Sequence, residues 1–220
     1  MRRLIAAALL LFCVCAISPA NAAAPPTPTA LDLAKRIDSH YNKLQSLKAD
    51  FTEEFNGLGM HRSESGTMLL RKPGRMRWNY TSTPGKVFVL DGKYAWFYTP
   101  GVPQVQRLKA SELDDLRSPL RFLLGHTKIE SELEQLNLAS SSAGTLTLSG
   151  VPRGQQKRIT KVTITAGSDG AIRRLEIDET DGAQTIFDFS NEQTNPALPE
   201  SEFHFNPPAG IPVVDALSPV

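Results

Sequence analysis

The pattern of apolar and polar residues is most informative in residues 66–98, which predict a series of short strands. Met76, Trp78 and Tyr80 alternate with arginine and asparagine, and this period of two is typical of a strand with one buried face. Pro-Gly and Asp-Gly pairs, which tight turns favour, separate the apolar runs. This segment is therefore predicted to form an antiparallel meander.

The later strands of this meander, residues 87–90 and 94–98, are apolar on both faces. Tyr94, Trp96 and Tyr98 would point to one face, while the alanine and phenylalanine between them would point to the other. Antiparallel strands with two apolar faces need a cover on each side, which can be a helix, a second sheet or an apolar ligand. The rest of the chain should supply these covers.

Two amphipathic helices are predicted. A capping-box pattern at residues 29–32 opens the first one. Its apolar residues recur at spacings of three and four, and they are Leu33, Ile37, Tyr41, Leu44 and Leu47. The second helix covers residues 111–124 and is rich in leucine, with a break or kink expected at Pro119. We expect the first helix to lie with its apolar stripe over an apolar surface.

The second half of the chain returns to strands after a poorly defined stretch at residues 127–138. The predicted strands are residues 145–148, 158–165, 172–178 and 184–189, followed by a final strand around His204. Asp-Gly pairs at residues 169–170 and 181–182 mark hairpins. About ten strands and two helices predict a mainly β fold with helices (α+β), in which one curled antiparallel sheet has its helices on one side.

The N-terminus has the features of a cleaved signal peptide. Two arginines precede an apolar run of 14 residues, too short for a membrane-spanning helix, and Ala20-Asn21-Ala22 fits a signal-peptidase site. Residues 1–22 are thus the predicted signal peptide, 23–29 a proline-rich spacer and 30–220 a single domain. Both cysteines lie in the signal, and the residues before them are too large for a lipoprotein signal, so we expect a soluble, exported protein without a disulfide.

Charge and motifs exclude several functional classes. Loss of Arg2 and Arg3 with the signal lowers the formal net charge from +1 to −1, which does not favour nucleic acid or an anionic membrane. The sequence lacks the nucleotide-binding, zinc-protease and serine-hydrolase motifs, and its four histidines are not at metal-ligand spacing. We therefore expect no enzyme activity, no metal and no cofactor.

Five segments resemble one family in order and spacing. They are residues 47–52 (LKADFT), 66–80 (GTMLLRKPGRMRWNY), 89–100 (VLDGKYAWFYTP), 118–125 (SPLRFLLG) and 203–210 (FHFNPPAG). Together they resemble LolA, the periplasmic outer-membrane lipoprotein carrier family of Gram-negative bacteria. Residues 127–142 are the least similar part.

The resemblance implies an incomplete, unclosed antiparallel β-barrel with an α-helical lid over its apolar concave face. It also implies a monomeric periplasmic chaperone that accepts acylated lipoproteins from an inner-membrane ABC-type releasing complex and delivers them to an outer-membrane lipoprotein receptor. The apolar strands and the amphipathic helix predicted above agree with such a site. The strand pattern does not show which face is concave, and we take the face of Trp78. The candidate lipid-binding residues are Met76, Trp78, Tyr80, Phe88, Leu90 and Trp96.

The resemblance also points to residues that close the lid. In the family, a basic residue holds the lid helix by hydrogen bonds. This residue is usually arginine, and it stands directly before the proline that follows the early strand. That position is Lys72 here, with Arg71 one residue earlier, and lysine lacks the planar five-donor fork of arginine. Either residue could hold the lid, or the basic cluster could be a solvated turn. The candidate apolar lid contacts are Leu113, Leu116 and Leu120.

Three other functions remain open. A lipocalin-like carrier of another lipid or small apolar ligand would share the curved apolar sheet but close its barrel. A membrane-anchored receptor would need a lipidated cysteine. An exported hydrolase would need a nucleophile and base, and the sequence offers no such pair.

Overall fold

The structure is a computed structural model, which describes residues 28–111, 128–140 and 144–216. These residues contain helices α1 (Ala30–Lys43) and α2 (Ile129–Glu132) and a 3-10 turn at Glu200–Phe203. The strands are β1 (Ser46–Gly57), β2 (Met60–Arg71), β3 (Arg75–Tyr80), β4 (Val87–Leu90), β5 (Tyr94–Tyr98), β6 (Val105–Lys109), β7 (Leu133–Ser140), β8 (Thr145–Pro152), β9 (Ile159–Gly167), β10 (Ile172–Glu179), β11 (Gln184–Thr194) and β12 (Val213–Asp215).

All twelve strands belong to one sheet, in the order β12-β6-β5-β4-β3-β2-β1-β11-β10-β9-β8-β7. Neighbouring strands are antiparallel, apart from β12, which runs parallel to β6. β12 and β7 lie at the two ends of the order, so the sheet is not closed. The predicted fold class, a mainly β protein with helices and an unclosed antiparallel sheet, is confirmed.

α1 forms as its sequence predicts. Thr29 Oγ1 accepts a hydrogen bond from the Asp32 backbone N–H, and the Asp32 carboxylate accepts one from the Thr29 N–H, which completes a capping box. Leu33, Ile37 and Tyr41 are buried on one side of the helix. The helix is shorter than predicted: it ends at Lys43, and Leu47 belongs to β1.

One face of the sheet packs with α1 and is called the inner face. Leu47, Leu70, Met76 and Leu90 stand opposite one another in successive strands, and all are buried in the same apolar cluster as the helix. The capping box starts the helix, and its apolar stripe is buried against this cluster. α1 therefore supplies a cover of the inner face.

Residues 199–216, called the C-terminal segment, cover part of the opposite, outer face. Arg77 on this face donates to the backbone carbonyl of Glu202 at 3.1 Å, and Phe203 is fully buried. The predicted final strand around His204 is wrong, because Phe203 ends a 3-10 turn and the residues after it are irregular until β12. The C-terminal segment is therefore the second cover of the meander, and local sequence patterns did not indicate it.

The stretch that the sequence left undefined contains α2 and β7. A register shift separates Glu134 from Asn137 in the pairing of β7 with β8, and Gln135 has a φ of +54°. The one extra residue of this bulge interrupts the alternation of apolar side chains in β7. None of the helices in the described ranges has the length and apolar character needed to cross a bilayer.

Candidate functional site

Four of the six candidate lipid-binding residues form a block on the inner face. Met76 stands opposite Leu90, and Trp78 stands opposite Phe88, in the pairing of β3 with β4. Met76, Trp78 and Leu90 are buried, and Phe88 is half-buried against the same cluster. The alternation that predicted a shared face for these side chains is reproduced by the register.

Trp78 lies at the centre of an aromatic group. Its ring meets Phe51 edge to face at 4.4 Å between centroids, and it contacts Phe187 at 5.6 Å and Phe189 at 6.3 Å. Edge-to-face pairs of this kind stabilise beyond their buried area. The two phenylalanines of β11 were not predicted as part of the site, because they lie more than 100 residues away in sequence.

Tyr80 continues the same face toward the end of β3. Its ring packs against Phe51 at 5.3 Å, and its hydroxyl donates to the Glu53 carboxylate at 3.2 Å. Burial is the main reason that the pKa of Tyr80 is raised, so the phenol stays protonated. Tyr80 therefore adds a polar edge to an otherwise apolar surface.

Trp96 is a correction to the predicted site. Trp96 of β5 stands opposite Val89 of β4, and Val89 stands opposite Arg77 of β3. Residues that stand opposite one another share a face, so Trp96 belongs to the outer face with Arg77. The Trp96 indole donates to Asp91 at 2.7 Å and packs against Phe205 at 5.7 Å. Both faces of β5 are apolar, so alternation could not tell which of its aromatic residues share the face of Trp78.

Lys72 reaches the C-terminal end of α1. Its ammonium donates to the backbone carbonyls of Tyr41 at 2.7 Å and Asn42 at 3.1 Å. Both carbonyls lie in the last turn of α1, where that of Tyr41 also accepts from the Leu44 N–H at 3.2 Å, and the negative end of the helix dipole attracts a cation there. Burial lowers the pKa of Lys72. A lysine at this position thus caps α1 without an arginine fork.

Arg71 points to a different partner. Its guanidinium donates to the Glu200 carboxylate at 2.7 Å, and Arg75 donates to the other oxygen of the same carboxylate at 2.9 Å. Of the two basic residues that the sequence left as alternatives, only Lys72 contacts α1 in this structure. The predicted lid contacts Leu113, Leu116 and Leu120, with most of the second predicted helix, lie outside the described residues.

Further anchors of α1 were not predicted. His40 Nε2 is 2.7 Å from the Glu192 carboxylate, and the Tyr41 hydroxyl donates to the same carboxylate at 3.3 Å. The Ile172 N–H donates to the Tyr41 hydroxyl at 2.9 Å. The hydrogen bond to Glu192 raises the pKa of His40. No local pattern could have indicated a contact across some 150 residues.

Two more contacts fix the middle of the helix. The Asp38 carboxylate accepts from the Ile129 N–H at 3.1 Å, and burial raises the pKa of Asp38 to about 6. Gly170, with a φ of +86°, touches the helix so closely that a Cβ there would lie 2.6 Å from the Arg36 carbonyl oxygen. α1 is thus held over the inner face by separate contacts with the β2–β3 turn, the β9–β10 turn, β11 and α2.

Several known proteins are similar to this chain. The model of the family described as outer membrane lipoprotein carrier protein LolA matches residues 42–206. A Dechloromonas aromatica protein named outer-membrane lipoprotein carrier protein is 32% identical over 173 residues, which are 77% of this chain and 81% of that protein. A Chromobacterium violaceum protein of the same name is 28% identical over 195 residues, 89% of this chain and 93% of its own length.

A solved structure shares the fold. An uncharacterized conserved protein from Thermus thermophilus superposes with a TM-score of 0.54 at 14% identity, over 85% of this chain and 99% of that one. The family model covers most of the chain, from the end of α1 to the C-terminal segment, and includes the inner-face residues and Lys72. The chain belongs to the LolA outer membrane lipoprotein carrier family.

Proposed function

We propose that this protein is a periplasmic carrier for the acyl chains of lipoproteins. It receives a lipoprotein released from the inner membrane by an ABC-type complex and delivers it to a receptor at the outer membrane. The names of its relatives support the cargo class, and the predicted signal peptide, residues 1–22, supports export. Carriage requires binding and release but no catalytic step.

The observation that carries this proposal is the aromatic group around Trp78 on the inner face, which lies in the same apolar cluster as α1, a helix held by polar contacts. Each methylene removed from water contributes about 0.8 kcal/mol, so an acyl chain of roughly 15 methylenes gains on the order of 10 kcal/mol in an apolar site. Met76, Trp78, Phe88 and Leu90 supply apolar side chains of suitable size, with Tyr80 at their edge. These five residues are the proposed lining.

Access to this lining requires movement, because Trp78 is only 2% exposed. We propose that α1 acts as the lid and that Lys72 holds its C-terminal end. Opening would cost the two hydrogen bonds from Lys72, and this cost lowers the net affinity for cargo, so the carrier can release what it binds. Leu113, Leu116 and Leu120 remain proposed apolar lid contacts.

The main alternative is a carrier of another lipid or small apolar ligand. A lipocalin-like barrel would pair its first and last strands, whereas the sheet here ends at β12 and β7. The open order favours the lipoprotein carrier. Native mass spectrometry of the protein purified from the periplasm distinguishes the two: bound lipoprotein supports the proposal, and only free lipid or another small apolar molecule supports the alternative.

Photocrosslinking tests the proposed lining. A photoreactive amino acid at Trp78 should crosslink to acylated cargo, while the same group at Trp96, an aromatic position of equal size on the outer face, should not. Equal labelling at both positions would contradict the assignment of the inner face to lipid.

A transfer assay tests the proposed lid anchor. Lys72→Leu should accumulate cargo on the carrier and deliver less of it, because the open form is favoured once the charge-assisted hydrogen bonds are lost. Lys72→Arg should transfer cargo normally. Arg71→Leu is the matched control, since Arg71 contacts Glu200 and not α1. Normal transfer by Lys72→Leu would exclude this anchor.

A further inference from the structure

The hairpin between β1 and β2 ends in an exposed apolar tip. The two strands pair as far as Gly57 and Met60, which leaves Leu58 and Gly59 as a two-residue turn. Leu58 is 72% exposed and Met60 is 60% exposed, the highest values among the exposed large apolar side chains of the described residues. The residues Leu58 to Met60 are called the hairpin tip below.

Leucine is a poor choice for this turn on conformational grounds. Leu58 has a φ of +53° and Gly59 one of +73°, the arrangement for which two-residue hairpins favour Asn-Gly or Asp-Gly. The other non-glycine residues with positive φ in the described ranges are polar: Gln135, Asn191 and Asn195. Folding gains little from a leucine that is mostly exposed, so an interaction outside the fold explains it better.

The hairpin tip lies at one end of the sheet and extends past the neighbouring strand only on its β2 side. On the β1 side, pairing with β11 continues to Asn56, and a Cβ on Gly57 would lie 2.5 Å from Ala183 Cβ, so the β10–β11 turn supports the hairpin directly beside its tip. On the other side, β2 pairs with β3 only from Gly66 onward. Ser65 and Glu64 still bond to the loop after β3, through the Thr81 N–H and the Lys86 ammonium, so residues 60–63 extend beyond it by about 13 Å at about 3.3 Å per residue. The tip is therefore a supported projection.

The tip is also far from the helix anchor. β2 runs from Met60 at the tip to Arg71, next to Lys72, which is about 35 Å at the usual rise per residue. Contact at the tip would thus leave α1 free to move. Val102, another exposed apolar residue, lies in the β5–β6 turn at the same end of the sheet as the tip.

We propose that the hairpin tip inserts into the interfacial region of a lipid bilayer. A stable protein interface buries about 800 Å² on each partner, which two side chains flanked by polar residues do not provide. A bilayer accepts single apolar side chains, and each one buried favours binding by about ten-fold or more. Insertion of Leu58 and Met60 gives a weak and reversible contact.

The charges near the tip indicate whether the contact depends on anionic lipid headgroups. Arg62, the arginine of β2 nearest to the tip, already pairs with Glu53 at 3.4 Å and Glu64 at 3.2 Å. The contact should therefore depend on apolar insertion rather than on anionic headgroups, and salt should change it little. This proposal concerns the membrane contact alone and does not depend on the cargo.

Vesicle flotation tests the proposal with the chain lacking residues 1–22, the predicted signal peptide. The protein should float with phosphatidylcholine vesicles at low and high salt. Leu58→Asn should weaken binding about ten-fold or more while keeping or raising thermal stability, because asparagine suits the turn. Met60→Gln should weaken binding to a similar degree. Leu31→Gln, which changes an exposed leucine of α1, is the matched control and should bind as wild type.

A tryptophan reporter gives a second measurement. Leu58→Trp should show a blue shift of fluorescence when vesicles are added, and Leu31→Trp should show none. Flotation of the Leu58→Asn/Met60→Gln double variant equal to that of wild type would overturn the proposal. Failure of the wild-type protein to float would also overturn the proposal. If the tip variants then still lost delivery of cargo, the tip would contact a protein and not a membrane. Loss of proposed carrier function with intact flotation would leave the membrane contact standing.

Discussion

The inner and outer covers of the sheet are attached in different ways. α1 buries Leu33, Ile37 and Tyr41, and its polar contacts come from side chains such as Lys72 and Glu192 at separate places in the chain. The C-terminal segment instead becomes part of the sheet. β12 pairs with β6. The Val105 N–H donates to the Pro212 carbonyl on one side of this pairing, and the Ala216 N–H donates to the Arg107 carbonyl on the other.

This difference indicates which cover can move. Side-chain contacts can be released one at a time, and α1 retains its own backbone hydrogen bonds when it leaves the sheet. Removal of the C-terminal segment would expose backbone groups of β6 that the parallel pairing now satisfies. We therefore expect α1 to separate from the sheet at lower free energy than the C-terminal segment.

The largest expected effect comes from Gly170, where the β9–β10 turn touches α1. Gly170→Ala should lower the free energy of unfolding by about 3 kcal/mol. The new Cβ meets the Arg36 carbonyl oxygen at 2.6 Å, and an L-residue at a φ of +86° adds strain. Urea unfolding gives the change, and hydrogen exchange should show lost protection in α1.

The control is a second glycine with the same backbone. Gly182 also has a φ of +86°, but a Cβ there would meet nothing within 4 Å. Gly182→Ala should therefore lower the free energy of unfolding by only about 1 kcal/mol, which is the cost of the left-handed conformation. Equal losses for the two variants would mean that the close approach of Gly170 does not hold α1 in place.

A smaller effect is expected at Lys72. Lys72→Leu should lower the free energy of unfolding by about 1 to 2 kcal/mol, because hydrogen bonds from a charged donor are lost while the burial cost of the ammonium is relieved. Hydrogen exchange should increase at the end of α1 and not in β12. Lys72→Arg should restore protection, and increased exchange in β12 to the same extent would contradict the independence of the two covers.

The sequence predicted the strands well where turn residues marked their ends. Asp91 illustrates the reason: its carboxylate accepts from the Lys93 and Tyr94 N–H groups, and Gly92 takes the positive φ that follows. This chemistry is local, so it can be read from adjacent residues. The face of Trp96 was missed because its cover, Phe205, lies more than 100 residues away.

The candidate site was predictable to the same limited extent. Alternation placed Met76, Trp78 and Tyr80 on one face, and the family resemblance pointed to residues 71–72. The choice between Arg71 and Lys72 has no signature in the sequence, because it depends on the direction in which each side chain leaves the β2–β3 turn: Lys72 meets α1 and Arg71 meets Glu200. The pair of His40 and Glu192 joins distant segments and has no local signature.

The inner cover should also respond to pH. Asp38 has its pKa raised by burial to about 6, and His40 has its pKa raised by Glu192, so both bind protons more tightly in the folded chain than in the unfolded one. The free energy of unfolding should therefore fall as pH rises, through Asp38 between about 4 and 6 and through His40 above about 6.5. Urea unfolding across this range measures the slope.

Two conservative variants separate these contributions. Asp38→Asn still accepts from the Ile129 N–H but does not ionise, so it should flatten the lower part of the profile. His40→Gln should flatten the upper part, where the wild-type imidazolium loses its proton and the ion pair with Glu192 is lost. A profile unchanged in both variants would show that these two residues do not report on the attachment of α1.

The smallest effect is expected at Glu200, which anchors the C-terminal segment by charge alone. Its carboxylate pairs with Arg71 and Arg75, but all three side chains are between 31% and 46% exposed, and ion pairs in water contribute little. Glu200→Gln should therefore change urea unfolding less than Lys72→Leu does, and hydrogen exchange of β12 should stay as in wild type. The buried ring of Phe203 and the β12–β6 pairing would still hold the segment. If Glu200→Gln released β12, the outer cover would depend on side-chain contacts just as α1 does, and the C-terminal segment would have to be considered a second movable cover.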